Sequence, residues 1–248
     1  VDAPPVGTPV VMAGGGLAEL VAVPAGSVHP YPAEALDPAR AAAIPINYGT
    51  AWYALFERAH LAAGEWLLVT GAGGGTGTAA IQLARSVGAR IVAVVGGTAK
   101  AELVESLGVD AVIDHHRTPE WVEAVRDLTG GGVDVAFDPV GGDTFTQVRR
   151  SMGWGGRALV IGFVAGIPQI PANHVLLKNY SVVGVHWGAS LMRDPASLGR
   201  QLEAVFALAR DGVVDPPLYP PVPFEEASRA LQDLAERRVW GKAVVTVT

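Results

Sequence analysis

The run Thr70-Gly71-Ala72-Gly73-Gly74-Gly75-Thr76-Gly77 is the place in the chain best suited to holding a phosphate. Glycine reaches positive φ and lets an anion approach backbone N–H groups with no Cβ in the way. The apolar stretch Trp66–Thr70 before it reads as a strand, and Thr76–Val87 after it reads as a helix. The amides of the turn then gather at a helix N-terminus, where the helix dipole favours negative charge. The spacing Ala72-x-Gly74-x-x-Gly77 would also suit an ordinary turn. The strand before it and the helix after it mark it as the opening of a dinucleotide-binding βαβ unit. Ala72, Gly73, Gly74, Gly75, Thr76 and Gly77 are therefore candidate cofactor-binding residues.

The end of the second strand selects between cofactors. NAD sites place Asp or Glu there to hold the ribose 2′-OH. Here Arg90–Val95 runs into Gly96-Gly97-Thr98-Ala99-Lys100, with no acidic residue before Glu102. Thr98 offers a hydrogen bond and Lys100 a charge where a 2′-phosphate would lie. A cation at a helix start opposes the dipole, so a merely solvated Lys100 would be badly placed. NADPH is the cofactor this pattern favours. His115, His116 and Arg117, just past the third strand, would add a second basic wall.

These residues need a wound sheet to position them. After short strands at Thr8–Ala13 and Leu17–Val23, helices are expected near 38–44 and 48–62. From Glu65 onward strand and helix alternate. Strands are expected at Trp66–Thr70, Arg90–Val95, Ala111–Ile113, Val133–Phe137, Arg157–Ile161 and Ser181–Val185. Helices are expected at Thr76–Val87, Ala99–Leu107, Pro119–Leu128, Asp143–Met152, near 172–178, near 195–210 and at 224–237. The strands are unbroken apolar runs, as a parallel sheet covered on both faces requires. The fold class is α/β: a doubly wound, Rossmann-type, six-stranded parallel sheet at 46–223. A last strand, Ala243–Val247, would return to a small β-rich lobe made from 1–45 and 224–248.

Composition narrows the chemistry. The chain has 248 residues, a net charge of −6 and no cysteine. Disulfides, Fe–S clusters, thiol nucleophiles and Cys-ligated zinc are excluded. No His/Glu cluster has zinc spacing, and no metal site is expected. No basic stripe marks a nucleic-acid partner. No apolar stretch reaches the roughly 20 residues of a membrane span, and no signal peptide opens the chain. A cytoplasmic location fits these features. Val1 is not a start methionine, and the opening falls inside a strand-like segment. The chain thus reads as part of a longer protein or as a shortened relative.

Several runs carry a family resemblance. They are Ala42-Ala43-Ile44-Pro45-Ile46-Asn47-Tyr48-Gly49-Thr50-Ala51, Thr70–Gln82, Asp138-Pro139-Val140-Gly141-Gly142, Arg157–Phe163, and Ile167-Pro168-Gln169-Ile170-Pro171-Ala172-Asn173 leading into Val182–Gly188. Together they resemble the medium-chain dehydrogenase/reductase superfamily, in its zinc-free quinone oxidoreductase (zeta-crystallin-like) branch. Such proteins carry a fuller N-terminal GroES-like lobe, of which this chain holds only the end. The resemblance implies NADPH-dependent hydride transfer to a quinone or an α,β-unsaturated carbonyl. It places Thr50 near the nicotinamide, with Asn47 one helical turn before it. Asp138 and Val140 follow the fourth strand, Gly162 and Phe163 the fifth, and His186 and Trp187 the sixth. All lie where open α/β sheets bind ligands. His115 stands where the family often has a tyrosine near the adenosine phosphate. Asp138-Pro139 also reads as a turn start, its carboxylate a cap, and His186 has a packing role as an alternative. The family commonly dimerises through an edge strand, here Ser181–Val185. The catalytic group and the hydride acceptor are not legible. A non-catalytic NADPH-binding protein, without a complete substrate lobe, is the alternative reading.

Overall fold

The computed structural model describes residues 3–247, so Val1, Asp2 and Thr248, the outermost residues of the expected β-rich lobe, lie outside it. The N-terminal segment forms one small antiparallel pair, β1 (Val10–Val11) with β2 (His29–Pro30). The expected strand at Leu17–Val23 does not form. Leu17 takes φ of 59°, which breaks an extended run, and Leu17, Leu20 and Val21 are left exposed.

Helix α1 (Pro38–Trp52) starts where the sequence puts it. Asp37 caps it by accepting from Arg40 N at 2.8 Å, and Pro38 occupies the first turn. The expected break near Pro45 is absent: α1 passes through it and continues as a π-helical turn, Tyr53–Arg58. Pro45 removes one backbone hydrogen bond. The fully buried face Ala41, Ile44, Tyr48 and Ala51, packed in the core with α2 and α8, holds the helix together across that gap.

The wound sheet follows in order: β3 (Trp66–Thr70), α2 (Gly75–Ser86), β4 (Arg90–Val95), α3 (Thr98–Ser106), β5 (Ala111–Asp114), α4 (Val122–Thr129), β6 (Val133–Asp138), α5 (Gly142–Ser151), β7 (Met152–Val160), α6 (Ala172–Lys178) and β8 (Ser181–Gly184). Its six strands lie in the order β5-β4-β3-β6-β7-β8, with every neighbouring pair parallel. One apolar layer, with Leu67, Val69, Ile91 and Phe137, faces α1, α2 and α8 (Ser197–Arg210). The other, with Leu68, Val92, Trp121 and Phe145, faces α4 and α5. Burial on both faces explains why the strands read as continuous apolar runs. Strand β7 begins five residues earlier than its apolar run, at Met152, with an irregular register opposite Val133 and Val135.

After β8 come α7 (Trp187–Arg193), α8, β9 (Val222–Pro223), α9 (Ala227–Ala235) and β10 (Val245–Thr246). Strand β10 pairs in parallel with β9, while β1 pairs with β2. The expected return of the last strand to the N-terminal pair is thus replaced by a second small sheet. Just before β10 the chain touches the glycine-rich turn: Gly241 bridges Gly74, and Lys242 bridges Leu218. Among the described residues no helix is long and apolar enough to cross a membrane.

Candidate cofactor site

The strand order reverses between β3 and β6, and their carboxyl ends open the crevice expected at such a switch point. The turn Gly71–Gly74 leaves β3 and enters α2. Gly77 is required by close approach: a Cβ there would stand 2.6 Å from Gly71 O and 2.7 Å from Ala72 Cα. That contact brings the first turn of α2 down on to the strand end. The turn itself is tied by Ala72 N donating to Val94 O and Gly74 N to Gly71 O. No side chain caps the N-terminus of α2, so its first amides are left facing the crevice.

Beyond β4, a crevice of about 230 Å³ is lined by Gly96, Gly97, Thr98, Lys100, Arg237 and Trp240, with Ala99 and Arg238. The aliphatic stem of Lys100 packs on Gly73, and its ammonium donates to Arg237 O at 2.9 Å. Burial holds this ammonium below the usual lysine range, and Arg237 alongside pushes the same way. Arg238, in contrast, is paired with Asp233 and Glu236. From β5, Asp114 accepts from Gly97 N and His116 N, both at 3.0 Å, and faces Arg117. Those bonds, Gly97 N first, hold its carboxyl below the usual range. Arg117 reaches Thr98 Oγ1 at 3.3 Å. His115 and His116 crowd Gly96 edge to face; burial and the neighbouring His116 lower the His115 pKa. The residues that sequence reasoning missed here are Arg237, Trp240, Gly241 and Asp114. The first three come from the C-terminal segment, and their only sequence signal is a basic, aromatic run followed by Gly241-Lys242.

On the β6 side Asp138 is fully buried. It accepts from the Thr70 hydroxyl, from Gly141 N at 2.9 Å and from Val140 N at 3.2 Å. Burial raises its pKa against the pull of these donors. The carboxylate thus shapes the turn, and the turn aims Val140 over Gly71. The loop after β7 is zipped to this turn through Ala165 N to Val140 O at 2.8 Å and Gly142 N to Gly166 O at 2.7 Å. Gly162 sits beside Pro139, and Phe163 is 57% exposed at the mouth.

Thr50 is half-buried on α1, and its hydroxyl makes no hydrogen bond among the described residues. Asn47, one turn earlier, is 7% exposed and lies against Gly75. His186 is exposed just before α7. The Trp187 indole is packed against α1 at Gly49, and its Nε1 donates to Gln201 at 2.9 Å. Trp187 is therefore engaged in packing, away from the open crevice. A larger, polar hollow of about 510 Å³ (Glu123, Arg126, Asp127, Gly130, Gly131) lies at the amino end of β6, the opposite end from this chemistry.

Residues 75–201 match the family model described as zinc-binding dehydrogenase. The chain belongs to this family. Within the same medium-chain dehydrogenase/reductase group, the chain is 37% identical over 239 residues to quinone oxidoreductase-like protein 2 homolog of Nematostella vectensis, covering 94% of this chain and 64% of that protein. It is 36% identical over 210 residues to quinone oxidoreductase-like protein 2 of Bos taurus, covering 84% of this chain and 60% of that one. The chain thus spans less than two thirds of the length of these relatives. Among solved structures, the quinone oxidoreductase of Thermus thermophilus, studied also as a complex with NADPH, is 36% identical with a TM-score of 0.81, covering 94% of this chain and 74% of that one. The zinc of the family's name finds no donor set here. The chain has no cysteine, and among the described residues no three His, Asp or Glu side chains stand together to hold a metal. A dinucleotide does fit: uncapped amides face the pyrophosphate position and a cationic crevice continues from it.

Proposed function

We propose that this chain binds NADPH and carries the hydride-transfer half of a zinc-free reductase acting on a quinone or an α,β-unsaturated carbonyl. The observation that carries the reading is the crevice at the end of β4. Lys100 and Arg237 stand together there with no carboxylate paired to either among the described residues; Asp114 is engaged by Gly97 and His116, and Asp233 and Glu236 by Arg238. Two cations without a paired carboxylate, beside a hydroxyl, suit a 2′-phosphate, and the carboxylate that would hold a bare 2′-OH is lacking at the end of β4. The relatives named quinone oxidoreductase-like, and the Thermus enzyme studied with NADPH, support the acceptor class and the cofactor.

In this reading the cofactor supplies the hydride. The protein's own part is to bind and orient. The first turn of α2 and Gly73–Thr76 hold the pyrophosphate, while Thr98, Lys100, Arg237 and His115 surround the adenosine end. Thr50, Val140, Gly162, Phe163 and His186 border the nicotinamide end. Asp138 fixes the Val140–Gly141 turn that forms one wall. Among the described residues edge strand β8 pairs only with β7, and we assign its free edge to a second copy of the chain, giving a homodimer.

The test is oxidation of NADPH and NADH, followed at their absorbance, against a panel of quinones and enones, with and without a chelator. Saturable turnover that prefers NADPH and ignores the chelator is the expected result. Turnover with NADH alone, or loss on chelation, would refute the assignment. NADPH binding with no turnover on any acceptor would leave a nucleotide-binding role only.

A further inference from the structure

We infer that Asn47 is a pyrophosphate-binding residue, its side-chain amide extending the ring of donors at the start of α2. This rests on the dinucleotide reading above and goes beyond it, since the backbone of the glycine turn alone would be the default anion cradle. Asn47 projects from α1, which packs along α2. Its side chain lies directly on the first residue of α2: a Cβ at Gly75 would collide with Asn47 Nδ2 and stand 3.2 Å from its Cγ. Glycine at position 75 is therefore needed to admit this amide, besides any role in the turn.

The orientation of the amide is set on one side only. Asn47 Oδ1 accepts from Thr76 Oγ1 at 3.4 Å, which leaves the two Nδ2 hydrogens pointing away from Thr76. Asn47 is 7% exposed, yet Nδ2 has no hydrogen-bond partner among the described residues. It is not sealed off either: the one side-chain nitrogen or oxygen that is both solvent-free and unpartnered among them is Arg149 Nε. Nδ2 thus keeps contact with solvent while lying against Gly75, the first residue of α2, near Gly241 O. A free amide donor at the uncapped start of α2 suits an anionic diphosphate oxygen.

The placement separates Asn47 from the residues that select NADPH over NADH. Lys100 and Arg237 sense the 2′-phosphate, whereas Asn47 senses the group common to both cofactors. Removing it lowers affinity for NADPH and NADH by the same factor, about tenfold for one hydrogen bond to a charged group.

The experiment measures equilibrium binding of three ligands by quenching of tryptophan fluorescence: NADPH, ADP-ribose 2′-phosphate and adenosine 2′-monophosphate. The proteins are the wild-type chain, Asn47→Ala and the isosteric Asn47→Asp. Both variants are expected to lose about tenfold or more in affinity for the first two ligands, Asp more than Ala, and to bind adenosine 2′-monophosphate as the wild type does. If Asn47→Ala melts at a lower temperature than it can be assayed, the same-shaped Asp variant decides. Loss confined to NADPH, with ADP-ribose 2′-phosphate unaffected, would move Asn47 to the nicotinamide side and overturn the inference. Equal loss for all three ligands, or no loss, would overturn it as well. A wild-type chain that binds neither NADPH nor ADP-ribose 2′-phosphate would overturn the dinucleotide reading and this one with it.

Discussion

Lys100 and Arg237 share one crevice although they are 137 positions apart in the chain. Lys100 was legible in the sequence because it belongs to the same turn that ends β4, where a carboxylate is expected and missing. Arg237 was not, because only the packing of the C-terminal segment on the glycine turn brings it there. Asp138 shows the converse. Its type and place pointed both to the nicotinamide wall and to a cap on the turn after β6, and the three donors that close on it bear out the cap. A charge-assisted hydrogen bond is worth about 1.5–3 kcal/mol. Lys100→Ala and Arg237→Ala are each expected to weaken NADPH by about tenfold to a hundredfold, with NADH changed little. Titration calorimetry with both cofactors checks this, and equal losses would remove these side chains from the 2′-phosphate.

At the level of elements, the strands of the sheet were legible as unbroken apolar runs, and α2 as an apolar helix after glycines. The helix break expected at Pro45 and the strand expected at Leu17–Val23 were not found, for one reason. Local signals were outweighed by what the segment packs against, a buried face in the first case and no covering layer in the second. One clip between elements has no local signal at all. Arg157 on β7 donates to Ala59 O at 3.0 Å and to both oxygens of Glu65 at 2.8 Å, tying the end of the π-helical turn to the approach of β3. Arg157 holds the Glu65 carboxyl below its usual value of 4.5. That stabilisation is present above about pH 4.5 and fades as the pH falls through the lowered value. Arg157→Met is expected to cost about 2 kcal/mol at pH 7. The gap from the wild type should narrow below pH 4.5, read by urea unfolding at both pH values. A gap that stays constant with pH would rule the ion pair out as its source.

For the whole molecule, the alternation of strand and helix was enough to give the doubly wound class. The order β5-β4-β3-β6-β7-β8 leaves β8 at one edge. In the loop and α6 that precede it, Ile167, Leu176 and Leu177 are exposed apolar side chains, Leu176 to 78%. A free strand edge beside such a surface fits the homodimer proposed above. Ser181→Pro, at the exposed start of β8, is expected to convert the dimer to a monomer in analytical ultracentrifugation while the melting curve stays cooperative. A wild-type chain that sediments as a monomer across the micromolar range would dispose of this interface.

The pairing of Gly241 with the glycine turn, through Gly241 N to Gly73 O at 2.8 Å, has a consequence for the order in which the molecule is made. The turn leaves the ribosome with the first strands of the sheet. The segment that walls its crevice emerges only after all six strands of the sheet. A nascent chain can therefore complete its sheet while this crevice is still half-built, and the crevice gains its second wall only once residues 237–241 have emerged.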